Sequence, residues 1–276
     1  MFTLNCNGRL LIIDKPLVIG IINTTPDSFY TGSRQYTIDT ALKQAETMLQ
    51  QGATILDIGG QSTRPGSELV SEAEEADRVL PIIETIVKNF PKAFISVDTF
   101  YAGVAMQSAA AGATIINDVS GGTLDNTMLQ TVGKLHIPYI CMHIKGTPQT
   151  MQQHATYEDV VKEVLDYFIL RLNECKTAGI HDVIVDPGFG FAKTIQHNFR
   201  LLQHLSAFTI LEKPLLTGLS RKGTIQKTLN VTAAGALNGT TVLNTIALLN
   251  GAHILRVHDV KEAIEAIQLV EAYKES

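Results

Sequence analysis

The sequence lacks several features that would assign a protein to a specialised class. No tryptophan occurs among the 276 residues, and the three cysteines, Cys6, Cys141 and Cys175, are widely spaced with no CxxC pair. This pattern argues against a disulfide framework and a structural zinc site, and it favours a reducing, cytoplasmic location. There is no run of lysine and arginine, and the formal charge is −5, so we expect no nucleic-acid partner.

Long hydrophobic runs are missing as well. The longest apolar stretch near the start, Leu10–Ile22, is interrupted by Asp14, Lys15 and Pro16. It is therefore typical neither of a signal peptide nor of a membrane span, and we expect no membrane partner. With 45% hydrophobic and 18% charged residues, the composition is that of a soluble protein with a large core.

The sequence does contain one unit that repeats along its length. Short apolar runs rich in β-branched residues alternate with stretches whose apolar residues recur every three or four positions. The first pattern predicts buried strands and the second predicts amphipathic helices. About eight such units follow one another without a low-complexity linker, which predicts an α/β fold, a (β/α)8 TIM barrel. An open doubly wound sheet is the alternative, but no GxGxxG follows an early strand.

We expect a single domain over residues 1–276. Two short strand-like runs surround Asn7-Gly8, a pair that favours a tight turn. Residues 1–15 are therefore predicted to form an N-terminal β-hairpin that covers one end of the fold, and residues 16–276 are predicted to form the barrel.

Polar residues follow the predicted strands, whose ends meet at one mouth of a TIM barrel, where catalysis takes place. Carboxylates and amides there suit a guanidine-like edge, as in a pterin or guanine, because a carboxylate accepts two parallel N–H bonds. Cationic groups suit a phosphate ester. The strand-end residues are Asn23, Asp57, Asp98, Asn117, His143, Asp186, Lys222, Arg256 and His258.

A polar loop within Thr54–Gly66 adds a further anion-binding candidate. It places the always-charged Arg64 between glycines and close to Asp57. We interpret Gln61–Gly66 as a lid that orders when an anionic substrate gives Arg64 something to bind. Whether Asp57 contacts a ligand or orients its neighbours is left open by the sequence.

Eight short blocks, in order and spacing, resemble the dihydropteroate synthase family, and the resemblance covers essentially all of the chain after Pro16. The blocks are Gly20–Ser28 (GIINTTPDS), Asp57–Gly66 (DIGGQSTRPG), Ser96–Thr99 (SVDT), Ile116–Gly122 (INDVSGG), His143–Gln152 (HIKGTPQTMQ), Asp186–Phe191 (DPGFGF), Gly218–Gly223 (GLSRKG) and Arg256–Val260 (RVHDV).

The resemblance implies a transferase of folate biosynthesis. Such an enzyme joins 6-hydroxymethyl-7,8-dihydropterin diphosphate to 4-aminobenzoate and releases diphosphate and 7,8-dihydropteroate. The expected mechanism is loss of diphosphate to a pterin cation, followed by attack of the amine. Mg²⁺ is the expected cofactor, and it needs no acidic cage because it can be held largely by phosphate oxygens. Sulfonamides are expected to compete with 4-aminobenzoate.

The resemblance also implies roles for the residues that match the family's motifs. Those expected to bind the pterin are Asp98, Asn117, Asp186, Lys222 and Arg256. Those expected to bind 4-aminobenzoate are Thr63, Pro65, Phe191 and Ser220. Those expected to bind the diphosphate are Asn23, Thr63, Arg64, Arg256 and His258, with Asn23 also expected to hold Mg²⁺. The catalytic set is then Asn23, Arg64, Lys222, Arg256 and His258.

Two positions depart from the family pattern. An acidic residue often follows the first loop's Asp-Ser-Phe, where this sequence has Thr31 and its neighbours, and Asp27 could supply the missing charge. Ala192 stands where glycine is frequent.

Two rival functions are a corrinoid-type pterin methyltransferase domain and a non-catalytic pterin-binding homologue. The apolar segment Ala233–Ala252 is interpreted either as a helix in the barrel wall or as a dimer face, and we expect a homodimer.

Overall fold

Eight parallel strands form the barrel that the sequence predicts. This computed structural model describes residues 1–24, 34–62 and 69–276. The N-terminal hairpin consists of β1 (Phe2–Cys6) and β2 (Arg9–Ile13). The barrel strands that follow are, in chain order, β3 (Leu17–Asn23), β4 (Ile55–Gly59), β5 (Phe94–Asp98), β6 (Ile115–Asp118), β7 (Tyr139–Met142), β8 (Val183–Asp186), β9 (Leu216–Thr217) and β10 (Ile254–Val257).

The strands are arranged in the order β8-β7-β6-β5-β4-β3-β10-β9. A parallel bridge between Val185 and Leu215 joins the two ends of this order, and the Val185 N–H donates to the Pro214 carbonyl at 2.9 Å. The sheet therefore closes on itself, and the prediction of a TIM barrel is confirmed.

The N-terminal hairpin is also confirmed. Its strands β1 (Phe2–Cys6) and β2 (Arg9–Ile13) pair antiparallel. Asn7 and Gly8 between them both have positive φ, 55° and 81°, as a tight type I′ turn requires. The Asn5 N–H donates to the Asp182 carboxylate at 2.7 Å, directly before β8, so the hairpin lies at the N-terminal end of the barrel.

Helices connect the strands and cover the outside of the sheet. The Ser71 side chain caps the helix that begins at Glu72 by accepting from the Glu74 N–H at 3.3 Å, as the sequence predicts. The helices are α1 (Arg34–Gln50), α2 (Glu72–Asn89), α3 (Ala102–Ala110), α4 (Met128–Leu135), α5 (Val160–Thr177), α6 (Ile195–Gln203), α7 (Gly223–Leu229), α8 (Leu237–Leu249) and α9 (Val260–Glu275).

One helical stretch differs from expectation. The sequence after β9 predicts helical structure through Leu249, but the chain forms two helices, α7 and α8, because Asn230 ends α7 in a left-handed conformation with φ 53°. No helix in the described ranges is long and apolar enough to cross a bilayer.

The core has two main parts, on either side of the sheet, and a third, small cluster near the mouth. The larger part lies between sheet and helices, and the smaller fills the N-terminal end of the barrel interior against the hairpin. Branched aliphatic side chains from successive strands pack there, as is usual in TIM barrels. Polar residues lie at the mouth, at the opposite end of the barrel. The barrel-interior residues of this smaller cluster are Ile19, Ile55, Ile115, Ile140, Ile184, Leu216 and Ile254.

Candidate active site

Arg256 connects two carboxylates at the barrel mouth. Its Nη2 lies 2.6 Å from the Oδ2 atoms of both Asp57 and Asp98, and its Nε donates to the same Asp57 oxygen at 2.7 Å. Asn117 also donates to Asp57 Oδ2, at 3.0 Å. Asp57 is fully buried, so its contacts in this structure orient Arg256 and Asn117, two residues expected to bind the pterin.

The register of the strands explains why these residues meet. Asp98 pairs with Gly59 on one side and with Asn117 on the other, so the carboxylate and the amide occupy the same level of the barrel. Asn23 pairs with Gly59 at that level too. A Cβ at Gly59 would lie 3.5 Å from Asp98 Cβ and 3.9 Å from Asn23 Oδ1, which places the Asn23 amide beside the Asp98 carboxylate.

Burial and charge act against each other in this group. Burial raises the pKa of Asp98 to about 7, although Arg256 lowers it. Burial also disfavours the charge on Arg256, but Asp57 and Asp98 outweigh it and raise the pKa of the guanidinium. Arg256 therefore stays charged and compensates both carboxylates.

Asp186 and Lys222 face each other across Gly218. A Cβ at Gly218 would lie 3.6 Å from Lys222 Nζ and 4.0 Å from Asp186 Oδ2. Asp186 Oδ1 accepts from the Gly188 N–H at 2.8 Å, and Lys222 Nζ donates to the Phe189 carbonyl. Burial raises the pKa of Asp186 and lowers that of Lys222 to about 8, and each group opposes the shift of the other.

Ser220 and His258 form a second pair at the mouth. The Ser220 hydroxyl lies 2.9 Å from His258 Nδ1 and accepts from the His258 N–H at 3.2 Å. Desolvation of the ring and the nearby Arg256 lower the pKa of His258 to about 4. The adjacent Arg221 guanidinium binds a carboxylate of the protein itself: its Nε and Nη2 each donate to Asp259 at 2.7 Å.

Phe191 lies next to Lys222, which forms a pair with Asp186. It is partly buried against a small apolar cluster that includes Phe100, Val119 and Met142, and Lys222 Nζ is 4.5 Å from the centroid of its ring. The structure thus brings together the described residues predicted for the pterin and one wall predicted for 4-aminobenzoate. The roles assigned to Thr63, Arg64, Pro65, Asp27 and Thr31 concern positions that lie outside the described residues, and they stay predictions.

Two buried residues with ionisable side chains near the mouth, Lys193 and Glu75, were not predicted from the sequence. Lys193 is only 4% exposed, and no local pattern distinguishes it from a surface lysine, the usual case. Glu75 is fully buried in α2, and among the described residues neither of its carboxylate oxygens has a partner in hydrogen-bond geometry, although the Thr99 side chain lies nearby. Its position could have been found, since Glu75, Val79, Ile82 and Ile86 follow the spacing of one buried helical face.

The fold and the mouth define a TIM barrel of the enzyme type, with carboxylates that suit N–H groups and cations that suit an anion gathered at one end. The sequence matches the pterin binding enzymes over residues 19–258. It is 44% identical over 267 residues to the dihydropteroate synthase of Escherichia coli strain K12, covering 96% of this chain and 94% of that protein. This chain therefore belongs to the dihydropteroate synthase family, and the predicted family and enzyme class are confirmed.

Solved structures agree with this assignment. The Yersinia pestis dihydropteroate synthase, solved with a sulfonamide drug complex, superposes with a TM-score of 0.94 at 42% identity and full coverage of both chains. The Xanthomonas albilineans enzyme in complex with 7,8-dihydropteroate superposes with a TM-score of 0.90 at 36% identity, again over both whole chains.

Proposed function

We propose that this protein condenses 6-hydroxymethyl-7,8-dihydropterin diphosphate with 4-aminobenzoate to give 7,8-dihydropteroate and diphosphate. The observation that carries the proposal is the group Asp98, Asn117, Asp186, Lys222 and Arg256, which five strand ends or the loops after them bring to one mouth. The 7,8-dihydropteroate bound by the Xanthomonas albilineans relative supports the same product here.

The pterin would use the buried acceptors. Carboxylates accept paired N–H groups well, so Asp186 and Asp98 suit the amino and ring N–H groups, while Asn117 and Lys222 supply donors to ring acceptors. Arg256 would have to release Asp98 as the pterin enters, and Asp57 would retain its Nε. The released guanidinium is then free to stack on the ring and reach the diphosphate, which suits arginine better than lysine.

The diphosphate would lie at the outer side of the mouth. We assign it to Asn23, Thr63, Arg64, Arg256 and His258. The negative charge of an entering diphosphate would raise the pKa of His258 from about 4, which favours a protonated ring that adds positive charge. These groups would stabilise the charge that develops on the leaving group, an electrostatic form of catalysis.

Magnesium fits the same place if the substrate brings most of its ligands. Within the described ranges no group of three His, Cys, Asp or Glu residues could hold a metal. The Asn23 amide oxygen is a hard ligand of the kind Mg²⁺ prefers, and the remaining positions suit phosphate oxygens and water. The ion would supply further charge neutralisation on the departing diphosphate.

The chemistry would proceed in two steps. The C–O bond at the pterin methylene breaks first, and its electron pair leaves with diphosphate, so a resonance-stabilised cation remains. The lone pair of the amine of 4-aminobenzoate then forms the new C–N bond, and the surplus proton passes to solvent or diphosphate. An aniline nitrogen is neutral at pH 7, so the reaction needs no strong general base.

The second substrate would bind between Phe191, Ser220 and the residues Thr63 and Pro65. A sulfonamide resembles 4-aminobenzoate in shape, and the Yersinia pestis relative was solved with a sulfonamide drug complex. We therefore infer competition between sulfonamides and 4-aminobenzoate at this site. Turnover that is insensitive to high sulfonamide concentration would overturn this inference.

A coupled assay for diphosphate release tests the proposed reaction. Release should require 4-aminobenzoate and Mg²⁺ together. Dependence on a methyl donor instead would indicate a pterin methyltransferase, and pterin binding without release would indicate a non-catalytic homologue.

Asp186→Ala should abolish turnover by removing the main pterin acceptor, and calorimetry should detect no binding of the pterin diphosphate. The exposed Asp166→Ala on α5 serves as the matched control and should bind normally. Unchanged affinity in Asp186→Ala would refute the assignment of this carboxylate.

We also infer a homodimer formed through α8. Val242, Ile246 and Leu249 are 49%, 38% and 49% exposed and recur at the spacing of one helical face. Light scattering should give twice the chain mass for the wild type and the monomer mass for Ile246→Lys. Ile169→Lys, at an exposed apolar position on α5, should stay dimeric.

The cysteines support a reducing location. All three are free and buried, so nothing about them calls for an oxidising compartment. We propose that the protein acts in the cytoplasm, and fractionation of cells with an antibody against the chain would test this.

A further inference from the structure

Lys193 places a buried amino group at the end of the loop after β8. Its Nζ lies 2.9 Å from the Phe191 carbonyl, 3.0 Å from the Gly188 carbonyl, and 3.0 and 3.4 Å from Nδ1 and the carbonyl of His143. Burial lowers the pKa of His143 to about 2, so the imidazole is neutral and Nδ1 can accept. The Lys193 amino group therefore lies within hydrogen-bond distance of four polar atoms, three backbone carbonyl oxygens and one ring nitrogen.

Burying the amino group of a lysine costs free energy that an apolar side chain in the same place would not. Burial lowers the pKa of Lys193 well below its usual value, and an apolar side chain of similar size would avoid this cost. The carbonyls that Lys193 satisfies belong to one loop and to the strand end beside it. This points to a role in holding that loop rather than in filling the core.

The loop is packed tightly against β7. Gly188 has φ 71°, and a Cβ there would lie 2.1 Å from the His143 carbonyl oxygen, so only glycine allows this approach. Lys222 holds the other side of the loop through the Phe189 carbonyl. Three loop carbonyls, those of Gly188, Phe189 and Phe191, thus accept from two lysines, Lys193 and Lys222.

The same loop connects the two substrate regions. Its Gly188 N–H donates to Asp186 at 2.8 Å, while its Phe191 ring borders Lys222 at 4.5 Å. Of the other pterin residues, Asp98, Asn117 and Arg256 lie on β5, β6 and β10, which Lys193 does not contact in the described part of the chain. Lys222 meets the loop only at the Phe189 carbonyl among its printed hydrogen bonds in that part of the chain. A shift of this loop would therefore move Phe191 more than it would change the pterin site.

We propose that Lys193 is a positioning residue that fixes Phe191 and thereby determines the fit of the second substrate. This inference rests on the proposed function, in which Phe191 borders 4-aminobenzoate. Without the amino group, the carbonyls of Gly188 and Phe191 would turn toward water and the aromatic wall would lose its fixed position.

Lys193→Met tests this by keeping the chain length and removing the donors. The KM for 4-aminobenzoate should rise about tenfold or more, while kcat and the Kd for the pterin diphosphate change less than about threefold. Lys193→Gln, which retains an N–H donor, should restore part of the loss. The exposed Lys162→Met on α5 is the matched control and should behave as wild type.

Hydrogen exchange gives a second readout without substrates. The Gly188, Gly190 and Phe191 amides donate to Asp186, Asn198 and the Gly188 carbonyl respectively, so they should be protected in the wild type and exchange at least about tenfold faster in Lys193→Met. If this variant does not fold, Lys193→Gln takes its place in both experiments, with a smaller effect in the same direction.

Two results would overturn the inference: unchanged exchange at these amides, or a KM for 4-aminobenzoate that stays within twofold of wild type. A loss of kcat and of pterin affinity as large as the rise in KM would overturn it as well, because it would indicate general damage. The proposed function has its own test: it is wrong if the wild type releases no diphosphate. Hydrogen exchange needs no substrate, so in that case it still tests whether Lys193 holds the loop in place.

Discussion

At the scale of single residues, Asp57 connects two side chains of the mouth. One of its oxygens accepts from Arg256 and Asn117, while Oδ1 is buried with no hydrogen-bond partner among the described residues. The contact with Arg256 thus compensates the burial of the Asp57 carboxylate. This carboxylate orients two groups assigned to the pterin from a position that solvent does not reach.

Asp57→Asn should therefore weaken pterin diphosphate binding about 10- to 100-fold. The neutral amide loses charge-assisted hydrogen bonds to Arg256, which contribute about 1.5–3 kcal/mol. Calorimetry on the folded variant measures the effect, with the exposed Asp166→Asn as the control. Affinity within about threefold of wild type would show that Arg256 and Asn117 are held by other contacts.

The pH dependence of the reaction should report two of the groups with a shifted pKa at the mouth, Asp98 and Lys222. Asp98, with a pKa of about 7, must be ionised to accept pterin N–H groups, and Lys222, with a pKa of about 8, must be protonated to donate. The value of kcat/KM for the pterin diphosphate should rise toward pH 7 and fall above about pH 8. A flat profile between pH 6 and 9 would contradict these assignments.

At the scale of elements, α2 contains the feature that departs most from an ordinary amphipathic helix. Its buried face includes Glu75 as well as Val79 and Ile83. Burial raises the pKa of Glu75 to about 7, and the nearby Thr99 hydroxyl only partly offsets this. The folded state therefore holds a proton on Glu75 more tightly than the unfolded chain does.

Glu75→Gln should change how stability depends on pH. The stabilisation from the raised pKa is fully present below about pH 4.5 and is lost as the pH rises through about 7. The variant has no such proton, so at pH 8 it should be more stable than wild type by on the order of 1–3 kcal/mol. Urea unfolding at several pH values measures this.

The exposed Glu84→Gln in the same helix should stay within about 0.5 kcal/mol of wild type at every pH. A difference between Glu75→Gln and wild type that does not vary with pH would refute the role of proton binding.

Strands and helices that follow a regular local pattern of apolar residues could be predicted from the sequence. Asp98, Asn117 and Asp186 each follow a short apolar run, so strand periodicity placed them at strand ends before any contact was known. The division of the last helical stretch at Asn230 could not be predicted, because apolar residues continue past it and a single left-handed residue decides the break.

Contacts between distant residues could not be predicted either. Arg256 and Asp57 are 199 positions apart, and Lys193 and His143 are 50 apart. Which charge is buried against which partner depends on the register of closed strands, and no local pattern carries that information. Family resemblance supplied the role of Arg256, but it offered nothing for Lys193 or Glu75.

At the scale of the whole molecule, stability and chemistry lie at opposite ends of the barrel. The hairpin and the aliphatic side chains beneath it close the N-terminal end, while the charged groups lie at the mouth. In TIM barrels this separation lets one end change without altering the other.

Leu11→Ala should therefore destabilise the protein by about 2–5 kcal/mol and leave both KM values unchanged. Leu11 is 4% exposed on β2, whereas its neighbour Leu10 is 66% exposed. Leu10→Ala is the matched control and should cost less than about 0.5 kcal/mol. Denaturant unfolding and steady-state kinetics measure the two effects, and a changed KM in folded Leu11→Ala would contradict the separation.

The closure of the barrel has a consequence for the bound state. Among the described strand pairs, β8 and β9 are joined only by the bridge at Val185 and Leu215, and the residues that border this joint at the mouth are Asp186 and Lys222. A pterin held by both would act as a crosslink across the thinnest part of the wall. Tighter binding of the first substrate would then also stabilise the closed barrel. A drug that occupies the pterin site would therefore protect the protein from proteolysis while it inhibits the reaction.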